Sequence, residues 1–224
     1  MRKTGNKQPP KQKNPRPLPP GGIKIAQAFK VILSGKEFSD ITIEDIVNTS
    51  GMNSALLYKY YGDKRGLLHK LVSEGIDLYI QNLERDLKGI KGALNKLRKL
   101  IWVQFNTYRK DRVSARIFLL EVRNHHSYFE SEGYQKIRKY TAIIKDILEE
   151  GVKNGEIRDD IPVWTIRQII IGGIEHLTLL WAVAGKEFSE DKMTDDLCEV
   201  IFAGIKANKS VRQPSAEQKS IAER

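Results

Sequence analysis

Between residues 23 and 205 apolar side chains recur every three or four positions, and no stretch keeps the two-residue alternation of a strand. The pattern predicts a succession of helices. Ile25, Ala28, Phe29 and Ile32 share one face of a first helix over about residues 23–34, which Phe38 and Ile41 pack against a helical hairpin. In that hairpin Ile43, Ile46 and Val47 mark a short second helix, and Leu57 with part of Tyr61 gives the buried side of a short third. A long fourth helix over about 64–87 turns Leu67, Leu68, Leu71, Ile76, Tyr79, Ile80 and Leu83 inward. Gly89 and Gly92 break the pattern. Further helices are expected over about 93–108, 113–123, 134–152 and 191–207, with residues 125–133 a loop or short turn. Another starts behind Asp159-Asp160 and Pro162, an acid and a proline placed as at a helix N-terminus, and runs to about 184. The expected fold class is all-α, without internal repeats.

The local chemistry is sharpest around the second and third helices. Thr42 is a good N-cap, and Asp45 stands three residues later, where a reciprocal capping acid belongs. Gly51 follows Ser50 at the place where a left-handed C-cap needs a residue without Cβ. Met52 can plug the turn, and Asn53 or Ser54 can cap the next helix. A helix, a glycine turn and a second short helix is the arrangement that carries a recognition helix into a DNA major groove.

The continuation narrows the reading. Ala55, Leu57, Tyr58, Tyr60, Tyr61, Gly62-Asp63 and Lys64, followed by Leu67 and Leu68, closely resemble the signature of the tetracycline-repressor (TetR) family of bacterial transcription regulators. The resemblance is specific over about residues 23–70 and architectural beyond. It implies an N-terminal three-helix DNA-binding domain with a helix-turn-helix, and a larger helical body for effector binding and dimerisation. The matching family positions imply phosphate contacts for Tyr58, Tyr60 and Lys64. A phenol donates a hydrogen bond, and a helix N-terminus attracts anions. Thr42 offers a hydroxyl and an amide in the same way. Ser54, Ala55 and Lys59 lie outward on the third helix, within reach of base edges, whereas Tyr61 reads as a core aromatic. The sequence departs from the family at Glu37, Val47, Ser50 and Leu56. Leu56 stands where a DNA-touching Thr is common, and two readings stay open for it: contact with a thymine methyl, or space filling. The last two long helices are implied to pair with those of a second subunit, and Gly172-Gly173 reads either as close approach across that interface or as local crowding within one subunit.

Composition sets the bounds. The chain has 224 residues, 40% hydrophobic and 29% charged, as in an ordinary globular protein. Its longest purely apolar runs, such as 169–171, are short, so no transmembrane helix and no membrane partner are expected, and the basic N-terminus lacks the apolar segment of a secretory signal. Cys198 stands alone, compatible with a reducing cytoplasm. Seven of the ten net positive charges lie in residues 1–24, so the charge supports DNA binding less than the motif does. The expected layout is a basic, Pro-rich disordered tail over 1–22, a DNA-binding domain over 23–70, a body over 71–209, and a polar tail over 210–224. In the body, Trp102, Phe105, Tyr108, Phe118, His176 and Trp181 are candidates to line an effector pocket.

No metal or cofactor is expected, because His125-His126, Glu121 and His176 lack a ligand spacing. No catalytic motif is readable, and a helical hydrolase built on His125, Glu121 and Asp111 is the remote alternative. The expected function is a cytoplasmic, homodimeric regulator, most simply a repressor. It would bind a palindromic double-stranded DNA operator and be released by a small-molecule effector of unknown identity. Control by a protein partner is the other reading.

Overall fold

The computed structural model describes residues 18–122 and 126–207, so the basic Pro-rich stretch before Leu18 and the polar stretch after Ala207 lie outside the described residues. Those described residues form nine α-helices: α1 (Pro20–Leu33), α2 (Ile43–Ser50), α3 (Ser54–Tyr61), α4 (Lys64–Leu87), α5 (Ala93–Lys110), α6 (Arg112–Arg116), α7 (Glu132–Lys153), α8 (Val163–Ala184) and α9 (Glu190–Ile205). The fold is all-α. It divides into two compact units at Lys64 and Arg65.

The N-terminal unit is built as its pattern dictates. Phe29, Ile25 and Leu33 of α1 are buried with Ile46 of α2 and Leu57 of α3. Phe38, in a single 3₁₀ turn between α1 and α2, sets its ring edge-on to Phe29 at 6.3 Å. Thr42 and Asp45 form the reciprocal box: the Thr42 hydroxyl accepts from Asp45 N at 3.0 Å, and the Asp45 carboxylate accepts from Thr42 N at 2.8 Å. Gly51 has φ +66°, the left-handed conformation the turn requires. Asn53, not Ser54, caps α3 by accepting from Leu56 N.

One boundary differs from expectation. α1 begins at Pro20, with Gly21 and Gly22 inside its first turn. Pro is at home at the start of a helix, and the buried Tyr61 hydroxyl donates to Gly22 O at 2.8 Å. A side chain at Gly22 would come within 3.3 Å of both Leu18 and Tyr60. The glycines that read as the end of a tail are packing positions.

The C-terminal unit has one core, in which Leu97, Leu100, Ile101 and Phe105 of α5 meet Ile144 and Leu148 of α7 and Ile166, Ile170 and Ile174 of α8. Gly151 lies inside α7, two residues before its end at Lys153. It is buried where a Cβ would lie 2.5 Å from Ile157 Cδ1 and 2.7 Å from Ala93 Cβ, so only glycine lets the two helices approach. Ala93 N at the start of α5 donates to the Glu156 carboxylate at 2.8 Å. Lys136 of α7 is buried and bridges Asp77 of α4 and Glu132 of its own helix. Burial alone would push its pKa down, but the two carboxylates outweigh that and raise it.

Four further features concern α6–α8. α6 widens into a π-helical turn over Ile117–Val122, a geometry that invites functional scrutiny. The segment 125–133, expected as a loop or short turn, holds a 3₁₀ turn over His126–Glu130 and then the capped start of α7 at Glu132. Asp160 does not cap α8 but pairs with Arg158, leaving Pro162 as the N-cap residue. α8 is also long and apolar enough to cross a bilayer, which the short uninterrupted apolar runs had appeared to exclude. One side of it lies in the core, and Arg167, Glu175 and His176 interrupt the rest.

Candidate nucleic-acid interface and effector site

An eight-residue helix rises by roughly 12 Å, about the width of the DNA major groove. On α3, Leu57 and Tyr61 are one turn apart and buried, which fixes the roll of the helix. Ser54, Ala55, Tyr58 and Lys59 are consequently exposed as one outward stripe, with 53% of Tyr58 accessible. Hydroxyl, methyl, phenol and ammonium groups on one face can reach base edges and backbone phosphates.

The other expected DNA contacts are placed differently. Tyr60 is half-buried against Tyr61, at 6.5 Å between ring centres, and the Lys59 ammonium lies 5.7 Å from its ring. Leu56 is half-buried, its Cδ1 facing Gly21 of α1 beside Met52, so it fills space within the unit. Thr42 is exposed at the start of α2, but its amide is committed to Asp45, leaving its hydroxyl proton as the group to offer. Lys64 departs furthest. Its ammonium donates to the carbonyls of Phe38 at 2.8 Å and Ile41 at 2.5 Å, with Ser39 O at 3.4 Å, and lies 4.5 Å from the Phe38 ring centre. A charge held on three carbonyls is an internal brace, not a point charge offered to phosphate.

The six pocket candidates are not brought together. Phe105 and Trp181 are buried, and both pack on Phe188, at 6.1 and 5.4 Å between ring centres. Trp102 is half-buried. Its indole donates to Asp191 at 2.6 Å, and it lines an open groove of about 550 Å³ with Ile90, Asn95, Arg98 and Lys99. Phe118 is half-buried in the π-helical turn. His176 is exposed on α8, contrary to a pocket-lining or core role. The reason is that α8 is apolar nearly all round, so its sequence does not say which side faces inward.

Tyr108 is buried, and its hydroxyl acts on that of Tyr79, which periodicity had filed as core. Tyr79 of α4 and Tyr140 of α7 stand edge-to-face with ring centres 5.4 Å apart. Burial, then the hydroxyls of Tyr140 and Tyr108, raise the Tyr79 pKa well above the ordinary tyrosine value. Burial raises that of Tyr140, opposed by its hydrogen bond with Tyr79 and aided by the Glu175 carboxylate. The buried Tyr79 and Tyr140 hydroxyls act on each other. Gln104 lies one turn before Tyr108 on α5, is buried, and its side-chain oxygen has no partner. The one sequence signal was a glutamine set between Val103 and Phe105 in an otherwise apolar helix face.

Of the hydrolase alternative, Asp111 caps α6 by accepting from Ser114 N and Oγ, and His125 lies outside the described residues. No group of three or more metal-ligating side chains occurs among the described residues.

Residues 72–204, more than half of the chain, match the TetR_C_4 family, described as YsiA-like protein, C-terminal region. The chain is 24% identical over 195 residues to the fatty acid metabolism regulator protein of Bacillus subtilis, covering 87% of this chain and 98% of that protein. It is 19% identical over 187 residues to the HTH-type transcriptional repressor KstR2 of Mycolicibacterium smegmatis, covering 81% and 89% of the two chains. Among solved structures it is similar to the transcriptional regulator FadR from Bacillus subtilis in complex with stearoyl-CoA. That likeness has a TM-score of 0.74 at 23% identity and covers 82% of this chain and 98% of that one. It is similar also to the fatty acid degradation regulator FadR of Bacillus halodurans, with a TM-score of 0.74 at 16% identity, covering 89% and 100%. The chain belongs to the TetR family of transcription regulators.

Proposed function

We propose that the protein is a cytoplasmic homodimeric repressor that binds a palindromic operator through α3 and is released by a long-chain acyl thioester. The observation that carries the DNA-binding half is the outward stripe of Ser54, Ala55, Tyr58 and Lys59, rolled into place by the buried pair Leu57 and Tyr61. Tyr58 and Lys59 supply phosphate contacts, and Ser54 and Ala55 meet base edges. Thr42 adds its hydroxyl at the start of α2. Lys64 serves this interface by fixing the segment Phe38–Ile41, not by touching DNA.

Dimerisation is supported by what α8 leaves uncovered. Trp164, Ile169, Leu180 and Val183 are each more than half exposed, and Val200 of α9 is 74% exposed. A run of large apolar side chains along one helix is a costly surface for a monomer. Gly172 is open on the same exposed side, whereas Gly173 packs on Leu197 within the subunit. Local crowding thus accounts for Gly173, and the open space at Gly172 is compatible with close approach of a second subunit.

The acyl thioester is supported by the relatives: a fatty acid metabolism regulator and a regulator crystallised with stearoyl-CoA. Residues 65–87 of α4 belong to the body and the helix begins at the end of the DNA-binding unit, so a signal between them passes along it. The test is selection of binding sites from random DNA by the full-length protein, then competition with stearoyl-CoA. The expected result is an inverted repeat bound by two subunits and released by the thioester. Selection of a half-site by a monomer would overturn it.

A further inference from the structure

The first turn of α1 lies against one flank of α3. A Cβ at Gly21 would come within 3.5 Å of Met52 Sδ and 3.6 Å of Leu56 Cδ1, and one at Gly22 within 3.3 Å of Tyr60 Cδ2. The Tyr61 hydroxyl pins this turn by donating to Gly22 O at 2.8 Å. Leu56 and Tyr60 are one turn apart on α3, on the flank that borders the outward Ala55 and Lys59. The chain that enters α1 through Leu18 and Pro19 therefore arrives beside the recognition helix.

The charge that precedes this entry is one-sided. Residues 1–17 carry Arg2, Lys3, Lys7, Lys11, Lys13 and Arg16 and no acid, which is +6 of the net +10. Neither α1 nor α3 holds an acidic side chain, so the two helices at the entry offer these cations no internal partner. Reach is ample. Seventeen residues can span at most roughly 60 Å, whereas half a helical turn of duplex is about 17 Å.

We propose that residues 1–17 are a second DNA-contacting element, an arm that runs from the flank of α3 onto the phosphates beside each half-site. This rests on the DNA-binding reading of α3 and adds a contact of a different kind. α3 chooses the sequence, while the arm contributes affinity that is blind to sequence and weakened by salt. Anionic lipid would attract the same six charges, but a docked α3 brings their point of attachment to the duplex.

The test compares full-length wild type with a full-length variant in which those six residues are changed to Gln, and with a truncation that begins at Leu18. Each is titrated by fluorescence anisotropy, at several salt concentrations, on the inverted-repeat duplex that wild type selects from random DNA. Each neutralised phosphate adds about 0.9 to the slope of log affinity against log salt. With two or three of the six cations engaged, both variants should show a slope shallower by roughly two to three per subunit. Both should melt with wild type, because Leu18 and the first turn of α1 are kept; if the truncation melts lower, the Gln variant decides. Random-site selection with the Gln variant should return the same repeat. Salt lines parallel to those of wild type, or selection of a different sequence, overturn the arm. Wild type retained on phosphatidylglycerol vesicles when the Gln variant is not, with parallel salt lines on DNA, assigns the charges to lipid and likewise overturns it. A wild type that binds no duplex overturns the DNA-binding reading along with the arm.

Discussion

Lys64 shows how a single side chain changes meaning once its partners are known. By sequence position it is a phosphate contact; by geometry it braces the turn before α2 through three carbonyls. Replacing it with Met should lower the stability of the DNA-binding unit by about 1–3 kcal/mol, the range for charge-assisted hydrogen bonds. The dependence of operator affinity on salt should keep its slope, because no released counterion is lost. Urea denaturation and binding at several salt concentrations separate the two roles; a shallower slope with intact stability would restore the phosphate contact. Asp45 gives a second residue-scale prediction. Its bond to the Thr42 backbone, the Lys36 ion pair and the Thr42 hydroxyl hold its carboxyl at about 2, against an ordinary 3.8. A carboxyl with a lowered folded-state pKa stabilises the fold above about pH 4, and that contribution disappears as the pH falls toward 2. Melting curves across this range should show an acid-labile limb in wild type that is missing in Asp45→Asn. At neutral pH, Thr42→Ala should cost about 1 kcal/mol.

Among the elements, α4 and its glycine bear most on signalling. Gly75 is exposed and a Cβ there would meet nothing within 4 Å, so close packing is not its reason. Glycine inside a helix lowers stability by about 1 kcal/mol and eases local bending. Gly75→Ala should therefore raise the melting temperature and leave operator affinity intact, while blunting release by stearoyl-CoA. Unchanged release in the stabilised variant would remove the hinge. Element boundaries were legible where caps and period agree: α4 is found over Lys64–Leu87, as the pattern predicts, and α5 starts at Ala93, just after Gly92. They were illegible where a distant contact decides. The start of α1 depends on Tyr61 reaching Gly22, thirty-nine residues away. The continuity of α7 through Gly151 depends on Ile157 and Ala93 leaving no room for a Cβ.

At the scale of the molecule, the two candidate sites differ in how far a sequence can show them. The candidate DNA-binding stripe was largely readable: the period of one short helix puts Leu57 and Tyr61 on one side and Ser54, Ala55 and Lys59 on the other, and the burial of the first two adds Tyr58 to the outward set. The effector site was not. Aromatic residues at core spacing look alike whether they line a pocket or fill a core, and the six candidates are not brought together. Hence His176, exposed on α8, was drawn in as a pocket candidate. The uncovered apolar side of α8 belongs to the same scale, since only the folded subunit shows which of its residues remain exposed. Leu180→Glu, on that side and 65% exposed, should leave each subunit folded while shifting it to a monomer that binds the operator far more weakly. Sedimentation of the variant checks this. The central claim, a dimer that an acyl thioester lifts from DNA, is tested most directly by fluorescence anisotropy. A labelled inverted-repeat operator, saturated with full-length protein, would be titrated with stearoyl-CoA. Two subunits per operator and complete release at saturating ligand are predicted. Anisotropy that stays at its bound value while calorimetry shows the thioester binding to the protein would contradict the claim.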